Sequence, residues 1–269
     1  MDPSLRGPDW MQISPVAGFL FHEKTHIALA AEVRGLNEFL SGFKIEGGTH
    51  RGYRRGFNEG DLPGFDWNKG GRLYGGNGSY QYTKPEKRLR MTIDGSPLVE
   101  IDVSASYLTM LYGLLGESSF DPPTRDPYDV DGVERSVAKA WMTATFGGKG
   151  HLRKWPDRTV EDFKKSDGRN LLDVMPLKDV RSAMVARHPV LRDWGTQEIN
   201  WADLMFHESQ AIIGAMVELM GRGIPSLVVH DSLMVREEDR EAAFETLGRR
   251  YHAVSGIYPR MKVSRPAAH

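Results

Sequence analysis

An α+β fold is predicted, an antiparallel sheet packed with helices. Three observations carry that expectation: an apolar strand running from Pro97 to Val103 passes straight into a helical run, a strand, tight turn and strand span Ser226 to Val235, and a long amphipathic helix lies between them at Trp201 to Met220. Each strand unit presents an acid at its end, Asp102 in the first and Asp231 in the second.

The elements follow in order. His26 to Phe43 carries Leu29, Val33, Leu36 and Leu40 at helical spacing. Between Gly47 and Gly78 come eleven glycines interleaved with Arg51, Tyr53, Arg54, Arg55, Phe57, Trp67, Arg72 and Tyr74. That composition reads equally as a long surface loop or as a strand-binding segment with exposed donors and ring faces. Thr92 to Val103 alternates and ends in the first strand, and Ser106 to Leu115 is the helix it feeds. A helix from Glu134 to Phe146 stops at Gly147-Gly148, and a polar, charged helix is expected over Val160 to Gly168. Gly221 and Gly223 break the long helix, Pro225 opens the second strand unit, and an acidic helix from about Glu237 to Tyr251 follows. No internal repeat or low-complexity tract is present.

Composition narrows the chemistry. The 269 residues are 40% hydrophobic and 26% charged, ordinary globular usage that excludes wholesale disorder, collagen and coiled coil. With no cysteine there is no disulfide framework, thiolate metal ligand or cysteine nucleophile, so any bound metal needs His, Asp, Glu or carbonyl oxygens. No apolar run approaches the roughly 18–20 residues of a membrane span, and no basic-then-apolar signal opens the chain, so a soluble, cytoplasmic protein is expected. A net charge of -1 means that a nucleic-acid site must come from local clustering of cations. Arg51, Arg54, Arg55, Lys84, Lys87, Arg88 and Arg90 could hold a phosphate backbone, or form a solvated face.

Taken singly, Asp102 is accounted for by a helix cap and Asp231 by a hairpin turn. If the two strands are neighbours in one antiparallel sheet, both carboxylates project from one end and can bracket divalent cations, as in-line phosphoryl displacement requires. Mg²⁺ or Mn²⁺ suits such a pair. Arg135 and Lys139 lie four apart on one helical face, where both can address a single polyanion, whereas Glu134 is turned about 100° away. His230, at the turn, suits a supporting role.

In order along the chain, four segments resemble the motifs of the family A DNA polymerases and, more loosely, of the phage-type single-subunit RNA polymerases. Gly71-Arg72-Leu73 with Gln81 nine residues after the arginine resembles the segment that contacts the primer–template minor groove. Asp102-Val-Ser-Ala-Ser-Tyr-Leu resembles motif A, whose aspartate binds metal and whose residue five positions on, here Tyr107, guards the sugar pocket. Arg135-Ser-Val-Ala-Lys139 ending in Phe146-Gly147 resembles the motif B helix that grips the incoming triphosphate. Val229-His230-Asp231-Ser232 resembles motif C, with the final serine closer to the RNA polymerases. The sequence departs from the family in carrying Tyr107 in place of its glutamate and Gly147 in place of its motif B tyrosine.

The resemblance implies a polymerase-like palm, an antiparallel sheet with helices, with a small fingers insertion. Residues 1–70 would be a helical and Gly/Arg-rich extension in the position of a thumb, 71–134 the first part of the palm, 135–200 the fingers, and 201–269 the second part of the palm. It implies template-directed nucleotidyl transfer, DNA synthesis in replication or repair, without proofreading and with low processivity. Asp102 and Asp231 would be the catalytic metal ligands. Arg135, Lys139, Tyr107 and Phe146 would hold the nucleoside triphosphate, and Arg72, Gln81 and His230 the primer–template, with no membrane partner.

Three alternatives stay open: an RNA polymerase or primase on the same core, a catalytically inactive nucleic-acid binding module, and a zinc metallopeptidase. The last rests on His22-Glu23-Lys24-Thr25-His26, which matches H-E-x-x-H but lacks the Gly-x-x-His continuation.

Overall fold

The computed structural model describes residues 23–117 and 119–266. It is an α+β structure built round one strand. The apolar run at Pro97–Val103 forms the core of β5 (Ser96–Ser104), the longest strand, buried on both faces over Leu98–Ile101. β4 (Thr92–Ile93) enters it through a two-residue hairpin at Asp94-Gly95, where φ is 50° and 81° at the two positions. An Asp-Gly pair takes that geometry because glycine has no Cβ to clash and aspartate tolerates the left-handed region. β1 (Ile45–Glu46) extends the edge beyond β4.

On the other side β5 pairs antiparallel with β7 (Ser232–Arg236), which pairs with β6 (Ser226–Val229). β8 (Arg260–Ser264), a strand the pattern reading did not anticipate, joins β5 along Glu100–Ser104. Its residues are only half-buried or exposed, so it lacks the apolar alternation that marks a strand in sequence.

The helices cover this sheet. α1 (Glu23–Ser41) and α3 (Ser106–Leu114) both pack on α8 (Trp201–Gly221), and α9 (Arg240–Ser255) lies along α8. α8 opens with a reciprocal cap: the Asn200 side chain accepts from the amides of Ala202 and Asp203, while Asp203 accepts from the Asn200 amide. Between α3 and α8 the chain forms a helical insertion, α4 (Arg135–Phe146), α5 (Asp157–Asp167), α6 (Leu171–Val174) and α7 (Leu177–Arg187), with Trp141 fully buried in it. One continuous hydrophobic core runs from Val33 in α1 through the sheet to Met184 and Tyr251.

The glycine-rich stretch is only in part a loop, over residues 58–69. It forms a hairpin of β2 (Tyr53–Phe57) and β3 (Gly70–Gly75) seated on α8. Tyr53 and Leu73 face inward, and the period-two signal is masked because glycines occupy several of the remaining positions. Gly71, at φ 81°, is where the hairpin closes on α8: a Cβ there would stand 3.0 Å from the Ser209 hydroxyl. Arg55 and Arg88 also correct the expectation of a phosphate-binding surface. Arg55 is wholly buried, donating to Glu32 at 3.0 Å and to the Gly71 carbonyl at 2.9 Å. Arg88 is buried in a two-pronged contact with Glu100 at 2.9 and 3.0 Å. Each guanidinium is paired because an unpaired buried charge would cost several kcal/mol.

Candidate active-site cleft

Asp102 stands near the C-terminal end of β5, and Asp231 follows His230 in the two-residue turn between β6 and β7. The register brings them together: Asp102 is opposite Ser232, and the Val103 amide donates to the Asp231 carbonyl at 3.3 Å. His230 holds the turn with φ 54°, a left-handed conformation that costs a non-glycine residue roughly 1 kcal/mol. Ala105, at φ 52°, makes the corresponding bend where β5 passes into α3. Backbone strain thus sits next to Asp231 and three residues beyond Asp102.

Both carboxylates are half-buried. Burial, the charge of Asp231 and that of Glu100 push Asp102 up to about 6, against the opposing pull of Lys139 and Lys262. Asp231 is pushed up as well, by burial and then by Glu208, with Arg72 opposing. The two acids therefore form a site short of positive charge.

They open on a cleft of about 570 Å³. Tyr107 and Glu208 line it beside the acids, and α4 contributes Arg135, Lys139 and Phe146. Lys139 is exposed and has no ion-pair partner among the described residues. Arg135 donates to Asp126 at 2.7 Å and lies 5.3 Å from the Tyr128 ring, so it would have to exchange partners to reach an anion. Tyr107 meets Phe146 edge-on at 5.9 Å, and the Arg72 guanidinium stands 5.5 Å from its ring. Phe146 is itself buried against Trp194.

The residue that sequence reasoning missed is Glu208. It is fully buried on α8, yet bonds Arg72 through Nε at 2.9 Å and through Nη2, and accepts from the Ser106 hydroxyl. Tyr251 closes the network by donating to the Ser106 carbonyl at 2.7 Å. A glutamate in the middle of an apolar helix, flanked by Leu204 and Ile212 one turn away on either side, was the available signal. Arg72 is thus held at the cleft by a buried carboxylate.

Other expected positions lie apart from the cleft lining. Gln81 is buried, its amide donating to the Leu73 and Val228 carbonyls at 3.1 and 3.0 Å and accepting from the Gly75 amide at 2.7 Å. It ties the β2–β3 hairpin to β6. His230 is exposed on the turn. Of the H-E-x-x-H residues, His22 and the side chain of Glu23 fall outside the described residues, and the His26 ring stacks on Trp67 at 5.9 Å. Among the described residues no group of three or more His, Asp or Glu side chains is placed to hold a metal ion, and no helix is long and apolar enough to cross a membrane.

No protein-family model matches the chain, and no curated protein matches it. Among solved structures it is similar to the POL domain of Pol1 from M. smegmatis, determined in complex with DNA primer-template and dNTP. The match covers 90% of this chain and 50% of that one, at 14% sequence identity and a TM-score of 0.44. The chain spans about half the length of that structure.

Proposed function

We propose that the protein is a template-directed nucleotidyltransferase, a minimal DNA polymerase that works with two divalent cations. The observation that carries this reading is the pair Asp102 and Asp231, adjacent across two strands at the edge of a cleft to which α4 contributes Arg135 and Lys139. Carboxylates beside guanidinium and ammonium groups suit a substrate with a triphosphate at one end and a reacting hydroxyl at the other.

The residues fit a hard cation. Two crowded carboxylates supply oxygen ligands, and substrate phosphates with water can complete the shell that Mg²⁺ demands. Asp102 and Asp231 would hold it. When bound, such a cation supplies the charge that favours ionisation of a primer 3′ hydroxyl and steadies the departing pyrophosphate.

The chain's own groups do the rest. Lys139 meets the triphosphate first, since it gives up no protein partner, and Arg135 can follow by leaving Asp126. Each charge-assisted bond of this kind contributes about 1.5–3 kcal/mol. Tyr107, braced between Arg72 and Phe146, is assigned the crowding of a ribose 2′ hydroxyl, which would favour deoxynucleotides. Glu208 keeps Arg72 extended at the cleft, toward a primer–template strand.

The test is primer extension with DNA and RNA templates and with ribo- and deoxynucleotides, Mg²⁺ or Mn²⁺ present. Wild type should extend with deoxynucleotides, and Asp102→Asn and Asp231→Asn should each abolish incorporation while leaving the thermal transition unchanged or raised, because two repelling buried carboxylates cost folding energy. Lys139→Ala should raise the nucleotide concentration required by more than tenfold. Either aspartate variant staying fully active, or unfolding well below wild type, would show a structural acid and sink the assignment. A wild-type preference for ribonucleotides would favour an RNA product.

A further inference from the structure

A second groove, of about 820 Å³, lies in the α4–α7 insertion and shares no residue with the cleft. One wall is α7, where Lys178, Arg181, Ser182 and Val185 recur at one-turn spacing and so share a face. The other is the segment after α4, carrying His151 and Arg153, and Arg192 adds a further cation. Arg153, Lys178, Arg181 and Arg192 are all exposed, and no carboxylate lines the groove.

Convergence of cations sets this groove apart. Several exposed arginines elsewhere are neutralised: Arg169 by Glu134 and Asp167, Arg249 and Arg250 by Glu218, Arg158 by Asp162. Among the described residues none of the four groove cations has such a partner. In a chain of net charge -1, four unpaired cations converging on one concavity is a local excess that solvation does not require. The walls are tied together, because His151 Nε2 bonds the Arg192 carbonyl at 2.9 Å, and Gly150 and Gly195 pack backbone to backbone. The lining includes no Phe, Tyr or Trp, so the groove lacks the large ring faces on which successive bases stack. Such a groove recognises repeated phosphates independently of sequence.

We propose that this groove binds the phosphodiester backbone of a nucleic-acid strand, as a contact separate from the Asp102/Asp231 cleft. It does not depend on the nucleotidyl-transfer reading. The test measures binding of a fluorescent 30-nucleotide single strand, and of the corresponding duplex, to the full chain across a salt series. Arg153→Gln, Lys178→Gln and Arg181→Gln combined should weaken binding at least tenfold at about 0.1 M salt, and flatten the slope of log affinity against log salt by about 2 for the single strand. Greater loss with one of the two probes identifies which form of the backbone the groove takes. The control combines Arg158→Gln, Lys164→Gln and Lys165→Gln on the exposed face of α5. The α5 control removes the same charge and should bind as wild type. Unchanged affinity and slope in the groove variant, or an equal loss in the α5 control, would overturn the assignment. All variants change exposed or half-buried polar positions, and circular dichroism melts at wild-type temperature establish that binding is read on folded protein.

Discussion

Glu208 and His188 illustrate how a single buried polar group is tolerated only with its partners. Removing the carboxylate in Glu208→Ala strands Arg72, whose side chain is 17% exposed, beside Tyr107 and the Ser106 hydroxyl. We expect a loss of about 3–5 kcal/mol in urea unfolding. An Arg72→Met/Glu208→Leu double variant should recover much of it, since an apolar pair of similar volume carries no desolvation cost. A double variant as unstable as Glu208→Ala would show that the ion pair is not what Glu208 secures. His188 is fully buried, donating through Nε2 to the Pro127 carbonyl at 2.8 Å with Tyr112 at 3.2 Å from Nδ1. Burial pushes its imidazole down to about 4, against the pull of that carbonyl. Between about pH 6.5 and 4 the unfolded chain therefore binds a proton that the folded chain refuses, and stability falls as pH falls through that window. The full shift is worth about 3 kcal/mol. In His188→Gln the difference in unfolding free energy between pH 7 and pH 4.5 should shrink accordingly, and an unchanged difference would mean that folded His188 takes up the proton as readily as the unfolded chain does.

At the level of elements, close approach between backbones decides more than propensity. Gly113 sits inside α3, where alanine would ordinarily gain about 1 kcal/mol. Here a Cβ would land on the Ser255 carbonyl oxygen at the end of α9, and backbone cannot swing aside as a side chain can. Gly113→Ala should therefore lower the stability by about 1–3 kcal/mol, read as a drop in the melting temperature. A rise would mean that α9 ends more loosely than the structure shows. α3 carries Tyr107 at its start, so the same contact fixes the helix that presents Tyr107 to the cleft. α4 works differently: its inner face, with Val137, Ala138 and Trp141, anchors it in the core, while Arg135 and Lys139 are left exposed at the cleft.

For the whole molecule, the continuous core has a consequence for unfolding. The helical insertion and the sheet share one set of buried side chains, from Ile101 and Val235 in the strands to Met142, Val180 and Leu191. A single cooperative transition is expected, with tryptophan fluorescence, dominated in the insertion by Trp141, Trp155 and Trp194, coinciding with far-ultraviolet circular dichroism. An earlier fluorescence transition would show that residues 135–200 unfold as a unit of their own.

What the sequence determined by itself was local: the apolar runs of β5, β6 and β7, the acids at their ends, the spacing of Arg135 and Lys139, and the period of α8. These are legible because a strand, a turn or a helical face is specified by residues within a few positions of one another. The tertiary structure decided what pairs across distance. Arg72 finds Glu208 over a separation of 136 residues, Tyr80 and Gln81 reach the Val228 carbonyl over 148 and 147, and β8 is a strand only because β5 offers it a free edge. The glycine-rich stretch belongs to the same class: its inward residues become a hairpin face only once α8 lies beneath them, since burial against a distant element supplies the energy that its own composition lacks.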